Sequence, residues 1–253
     1  MRMRIYVLLL AMIPMIGEAA PKLWRQIETR HYQFEEAKKK MVYTVFVPSG
    51  YDRSKAAPLL VLLHGLFSDP HQVIRYGGLL EEAEKHGVVV ACPMGYDRVS
   101  WYGSRGPGKM GIGGPRNQGA LSEKDVMNVL TIVRKDFNVD PKRIYLGGHS
   151  MGGAGTFHLG AKHPELWAGL APIAPAMFGL KRDLNKIKDL PVILVQGEKD
   201  MLCMAIFARG CVRRMKALKM DHLYVEEKGG GHIDVAMRHW PEIFDFLLKR
   251  PRL

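Results

Sequence analysis

With 253 residues, 47% of them hydrophobic, the chain is long enough for one large α/β domain with a substantial buried core, and a single domain is expected, with no obvious room for a second. Its formal net charge of +12 could suit an anionic surface, but the lysines and arginines are scattered. They cluster only at residues 38–40 and at Arg213 and Arg214, without interleaved aromatics, which reads as solvation and argues against nucleic acid as a partner.

The first residues differ from the rest. Arg2 and Arg4 precede an apolar run over residues 5–16, and the small residues Gly17 and Ala19 follow at the spacing a signal peptidase accepts. A secretory signal peptide over 1–19 is expected, with a secreted or periplasmic location for the single domain over 20–253. Roughly 12 apolar residues interrupted by Pro14 are too few to span a bilayer comfortably, so no stable membrane anchor is expected.

Residues 41–48, MVYTVFVP, alternate and are rich in β-branched and aromatic side chains, which predicts an antiparallel hairpin with residues 26–34. PLLVLLHG (58–65) is continuously apolar, as expected of a strand buried on both faces of a parallel sheet. Ser68, Asp69 and Pro70 then signal a helix reaching about His86. VVVACP (88–93) is the next buried strand and contains Cys92; the polar, glycine-rich loop that follows over 95–121 is too long to be a mere connection. Ser122 with Asp125 three residues on predicts a helix start, and Val126, Val129, Leu130 and Val133 repeat at helical spacing up to Phe137. RIYLGG (143–148) is a strand that feeds a glycine-rich turn and a helix to about His163. AGLAPIAP (168–175), PVILVQG (191–197) and HLYVEE (222–227) are further strands, with helices over 205–219 and 233–249. This alternation predicts an α/β fold: a mostly parallel, doubly wound sheet with helices on both faces. Cys203 and Cys211 would lie about 12 Å apart on one helix, so no essential disulfide is expected unless that helix starts after Cys203.

The chemistry concentrates in IYLGGHSMGGAG (144–155). Residues Gly148, Ser150 and Gly152 fit G-x-S-x-G between a strand and a helix, which places Ser150 at the tip of a tight turn with helical amides behind it. A serine hydroxyl is a weak nucleophile without a general base and a group to orient that base. Asp200 comes just past PVILVQG and His232 just past HLYVEE, so both fall on the rim that carries Ser150, and Gly229, Gly230 and Gly231 suit a loop returning the imidazole. Glu198 and Asp234 are competing acids; the position just past the strand favours Asp200. The backbone N–H groups of Met151 and of Leu66, in the loop after LLHG, are candidate oxyanion donors. Trp101 and Tyr102 in the long loop are candidates for stacking on substrate, with core packing as the alternative.

Taken together, LLHGLFSDP (62–70), GGHSMGG (147–153), VQGEKD (195–200) and GGGHIDV (229–235) resemble the α/β-hydrolase superfamily over almost the whole of residues 20–253. SWYGS (100–104) and VDPKRIYLGGHSMGG (139–153) resemble its secreted esterase branch, which includes polyhydroxybutyrate depolymerase-like and feruloyl-esterase-like proteins. The chain departs from lipases with a longer glycine run after the histidine, having Leu66 and Phe67 there. The resemblance implies a serine carboxylesterase with a Ser-His-Asp triad, acting through an acyl-enzyme on a small-molecule or polymer-attached ester. A serine peptidase of the same fold, and a catalytically silent binding module, are the alternatives.

Two other motifs lack the context they need. GPGKMG (106–111) satisfies G-x-G-x-x-G and GSRGPGKM (103–110) nearly satisfies a phosphate-binding loop, but no strand leads in and no helix leads out. Met110 replaces the hydroxyl that would meet magnesium, and Pro107 removes an amide. Metal-ligand spacings such as H-E-x-x-H are absent, so neither a cofactor nor a metal is expected.

Overall fold

The computed structural model describes residues 19–108, 114–177 and 184–252. Apart from Ala19, the expected signal peptide lies outside the described residues, as do the last residues of both glycine-rich motifs in the long loop.

Eight strands form one sheet in the order β1-β2-β4-β3-β5-β6-β7-β8. β1 (Ile27–Phe34) and β2 (Lys39–Phe46) make the expected antiparallel hairpin, and β2 lies antiparallel to β4 (Val89–Pro93). From β4 across the sheet all strands are parallel: β3 (Ala57–Leu63), β5 (Val139–His149), β6 (Gly169–Ile173), β7 (Val192–Gly197) and β8 (His222–Glu227). The continuous apolar run of β3 has the meaning its sequence suggests. Leu59, Val61 and Leu63 enter one core with Val126 and Val129, while Leu60 and Leu62 enter the other with Leu80 and Phe244.

The helices are α1 (Ala19–Trp24), α2 (Pro70–Val73), α3 (Leu79–His86), α4 (Gln118–Asp136), α5 (Met151–Lys162), α6 (Ala205–Ala217), α7 (Val235–Arg238) and α8 (Trp240–Leu248). Three differ from expectation. The helix expected from Ser68 to His86 is two: Asp69 caps α2 through the Gln72 amide, but the chain breaks at Gly77 and Gly78, the latter with φ of 82°, before α3 begins. The helix expected over 233–249 also divides, because Pro241 in the first turn of α8 cannot donate to α7.

The third difference is informative. α4 starts at Gln118, so Ser122 and Asp125 lie inside it, buried, rather than capping it. Their polar atoms hold the long loop instead. Ser122 Oγ donates to the Gly95 carbonyl (2.6 Å) and accepts from the Tyr102 amide (3.0 Å). Asp125 accepts from the Gly95 amide (2.6 Å) and from the Tyr32 hydroxyl (2.5 Å).

Burial lifts the Asp125 carboxyl to about 6, against the opposing pull of its hydrogen bonds from Tyr32, Gly95 and Tyr96. Its unfolded value is about 3.9. The unfolded chain therefore loses this proton first as pH rises, and the stability present below about pH 4 is lost through the folded pKa near 6. Asp125→Asn keeps the shape, can turn its oxygen to the amides and can donate to Tyr32. Between pH 4 and 7, unfolding free energy should fall by roughly 1–3 kcal/mol more in the wild type than in Asp125→Asn. Parallel pH curves from urea titrations of the two proteins would refute this account.

Candidate active site

β5 delivers Ser150 at φ 58° and ψ −114°, a left-handed region that a side-chain-bearing residue enters only when its surroundings compel it. The compulsion comes from the close approach of α5 to β3. A Cβ on Gly152 would stand closer than 3.0 Å to the Leu63 and His64 carbonyl oxygens, and one on Gly148 would collide with the Gly152 carbonyl. The elbow is pinned by backbone bonds, with the Ser150 amide donating to Ile173 (2.9 Å) and the Ser150 carbonyl accepting from Ala176 (3.0 Å). Both motif glycines are thus spacing requirements, and the first turn of α5 lies directly behind Ser150.

β7 and β8 are parallel to β5 and end on the same edge of the sheet, which carries Asp200 and His232 to it. His232 Nδ1 donates to Asp200 Oδ2 at 2.7 Å. The Asp200 side chain is 0% exposed and that of His232 10%. Oδ2 also accepts from Gln196 Nε2 (3.1 Å), while Oδ1 accepts from the amides of Leu202 and Cys203, both at 2.8 Å. Four N–H groups meet one buried carboxylate, which leaves it no freedom to turn. The competing acids have other partners: Glu198 is exposed and accepts from the Gly229 amide (2.8 Å), and Asp234, also exposed, accepts from that of Gly231 (3.1 Å).

The turn after β3 supplies the other side of the site. Its Phe67 amide donates to Arg98 (2.9 Å) and its Ser68 amide to Gly65 (3.1 Å), leaving the Leu66 amide uncommitted among the described residues. A Cβ on Gly65 would stand 3.5 Å from Ser150 Cβ, so this turn passes beside the serine. Tyr102 and Trp101, however, do not face it as substrate platforms. Tyr102 is fully buried, donates its hydroxyl to the His64 carbonyl (3.1 Å) and packs its ring against Gly95 and Gly155; Trp101 is 7% exposed, with the Arg105 guanidinium stacked 3.4 Å above its ring. The aromatic faces expected to meet substrate are spent on packing, and the hydroxyl of Tyr102 sets the turn carrying Leu66.

Three further residues at the site carry no recognisable signal in the sequence. His149, the first variable residue of G-x-S-x-G, is buried with its ring centroid 4.7 Å from that of His232. Burial, then the neighbouring His232, lowers its pKa to about 4, so it is neutral. Its Nε2–H donates to the His232 carbonyl (2.9 Å) and its Nδ1 accepts from the Tyr76 hydroxyl (2.9 Å). Tyr76, in the break between α2 and α3, thus sets the tautomer that anchors the His232 backbone. Cys203, which precedes α6, lies with its sulfur within 4.8 Å of ligating atoms of Asp200 and His232. A thiophilic cation could use these three side chains only by displacing the N–H groups that already occupy Asp200. Burial, then Asp200, pushes the Cys203 thiol up to about 11, and no disulfide joins it to Cys92 or Cys211.

Residues 35–203 match the Esterase family. The chain is 29% identical over 157 residues to a bifunctional acetylxylan esterase/xylanase of Neocallimastix patriciarum, covering 62% of this chain and 21% of that protein. It is 30% identical over 151 residues to the S-formylglutathione hydrolase of Rattus norvegicus, covering 55% and 53%. The chain thus spans from about a fifth to about half of the lengths of these relatives. A solved thermostable esterase superposes with a TM-score of 0.73 at 23% identity, covering 91% of this chain and 64% of that one, which shows the α/β-hydrolase fold.

Trp101→Ala removes a buried ring and should destabilise the fold by roughly 3–5 kcal/mol. At about 2–4 °C per kcal/mol for a domain of this size, the melting temperature should drop by roughly 10 °C, with equal fractional loss of activity on aryl and acetyl esters. An unchanged melting temperature with loss confined to aryl esters would restore Trp101 to a substrate pocket.

Proposed function

The chain belongs to the Esterase family, and on that premise we propose that it is a serine carboxylesterase working through an acyl-enzyme. The observation that carries the reading is the fixed His232–Asp200 pair, 2.7 Å between Nδ1 and Oδ2, on the sheet edge where Ser150 occupies its strained turn. With Nδ1–H committed to Asp200, Nε2 of His232 is left with the lone pair that a general base needs.

In this mechanism Ser150 Oγ attacks the ester carbonyl carbon as His232 Nε2 takes its proton. Asp200 holds the ring in the required tautomer and offsets the charge of the imidazolium. The amides of Met151 and Leu66 receive the oxyanion, and His232 returns the proton to the departing alcohol oxygen as the carbon–oxygen bond breaks. Water then enters, loses a proton to His232, attacks the acyl carbon and releases the acid, restoring Ser150. No step needs a cofactor.

Export belongs to the same proposal and is supported by the basic, apolar and small-residue pattern of residues 1–19. Among the described residues no helix is long and apolar enough to cross a membrane.

Ser150→Ala should lower kcat by several powers of ten and abolish labelling by a fluorophosphonate, with the melting temperature unchanged. A purified variant retaining a tenth of wild-type ester hydrolysis would sink the assignment. Asp200→Asn should be severely impaired, because the amide can hold His232 in the wrong tautomer, whereas Glu198→Gln should be mild. The reverse ranking in kcat would move the acid to Glu198.

A further inference from the structure

The exposed large apolar side chains are not scattered. Among the described residues, all but Leu223 come from segments bordering the site. Leu66 and Phe67 follow β3, Met201 and Leu202 follow Asp200, Phe207 lies in the first turn of α6, and Ile233 follows His232. The exposures are large: Phe67 is 70% exposed, Leu202 76% and Met201 84%. Each such side chain left in water forgoes roughly 1.5–3 kcal/mol of burial, and soluble domains ordinarily spread such residues singly. Here they come mainly from the chain just past β3, β7 and β8, the segments that carry groups assigned to the reaction.

Backbone bonds keep them there. The Phe67 amide is tied to Arg98, and the Leu202 amide to the buried Asp200 carboxylate. Their side chains are therefore turned outward by segments that cannot collapse to cover them. The occupant that continuity with Ser150 favours is the substrate itself. A short acyl group, such as formyl or acetyl, offers little apolar surface for these side chains to bury against.

We propose, resting on the carboxylesterase reading, that the preferred substrates are esters with a medium-length alkyl acyl chain, which lies along this apolar rim as Ser150 attacks. Chain length then enters through rim burial and raises kcat/KM. The formation and hydrolysis of the acyl-enzyme are otherwise unchanged.

The test compares p-nitrophenyl acetate with p-nitrophenyl octanoate below its solubility limit, using the full chain and a variant combining Phe67→Asn, Met201→Gln and Phe207→Gln. Asn suits the left-handed backbone of position 67, where φ is 63°. The wild type should favour octanoate by tenfold or more in kcat/KM, and the variant should lose at least that factor on octanoate while acetate hydrolysis stays within twofold. Equal loss on both esters, or a wild-type ratio near one, overturns the rim while leaving the esterase reading intact. If sedimentation shows that the wild type is a dimer and the variant a monomer with an unchanged chain-length ratio, a second copy covers the rim and the proposal fails. Absence of fluorophosphonate labelling and of hydrolysis of either ester would remove the esterase reading and the rim with it.

Discussion

The passage of α5 hard against the end of β3 is the constraint from which the rest of the site follows. Gly152 has no side chain because the Leu63 and His64 carbonyl oxygens occupy that volume, and Gly148 has none because the Gly152 carbonyl does. With both contacts made, the chain between strand and helix has one course, which forces Ser150 to a φ of 58°. That strain is of order 1–3 kcal/mol and persists because Ile173 and Ala176 hold the serine's backbone on either side. In return, a hydroxyl and the first amides of a helix share one spot at the edge of a sheet where three other strand ends deliver their loops.

Those loops are positioned mainly by backbone groups bonding to buried side chains. Asp125 and Ser122, both enclosed in α4, hold Gly95 and Tyr102, and the Tyr102 hydroxyl holds the His64 carbonyl. The turn bearing Leu66 is thus tied through a chain of hydrogen bonds to a helix on the far side of the long loop. Each link is buried, so each is worth more than it would be in water, and a missing one would leave an unpaired polar group at considerable cost.

Much of this was legible in the sequence. The parallel sheet, its antiparallel first hairpin, and the strand-end positions of Ser150, Asp200 and His232 follow from apolar runs and from the glycines that interrupt them, signals that act over a few neighbouring residues. What local pattern could not show was which partner a polar side chain would choose. Ser122 and Asp125 at capping spacing are indistinguishable, in one dimension, from a serine and an aspartate that anchor a distant loop. Trp101 and Tyr102 offer the same amphipathic rings whether they face a ligand or the core; for Tyr102 the choice is made by Gly95 and Gly155, whose missing side chains admit its ring. His149 and Tyr76 meet across 73 residues of chain, and no spacing announces that.

The contrast between the imidazole and its surroundings is the last consequence of these constraints. The His232 ring is fixed through Asp200, its carbonyl through His149, and the glycine run before it through Glu198 and through the Lys199 amide, which donates to Gly230 at 2.9 Å. In that run Gly229 takes a φ of 73°, and where the run passes β7 Gly197 must lack a side chain, since one there would strike the Gly230 and Gly231 carbonyls. Glu198 and Asp200, two carboxylates two residues apart, therefore do different work because one faces water and the other does not. The exposed one ties a loop, while the buried one, satisfied by four donors, can respond to charge on the ring without losing its own position. Around this rigid pair, the same buried carboxylate holds the backbone amides of Leu202 and Cys203 while the side chains of Met201 and Leu202 stand exposed, so a fixed backbone and outward-facing apolar side chains follow from a single anchoring point.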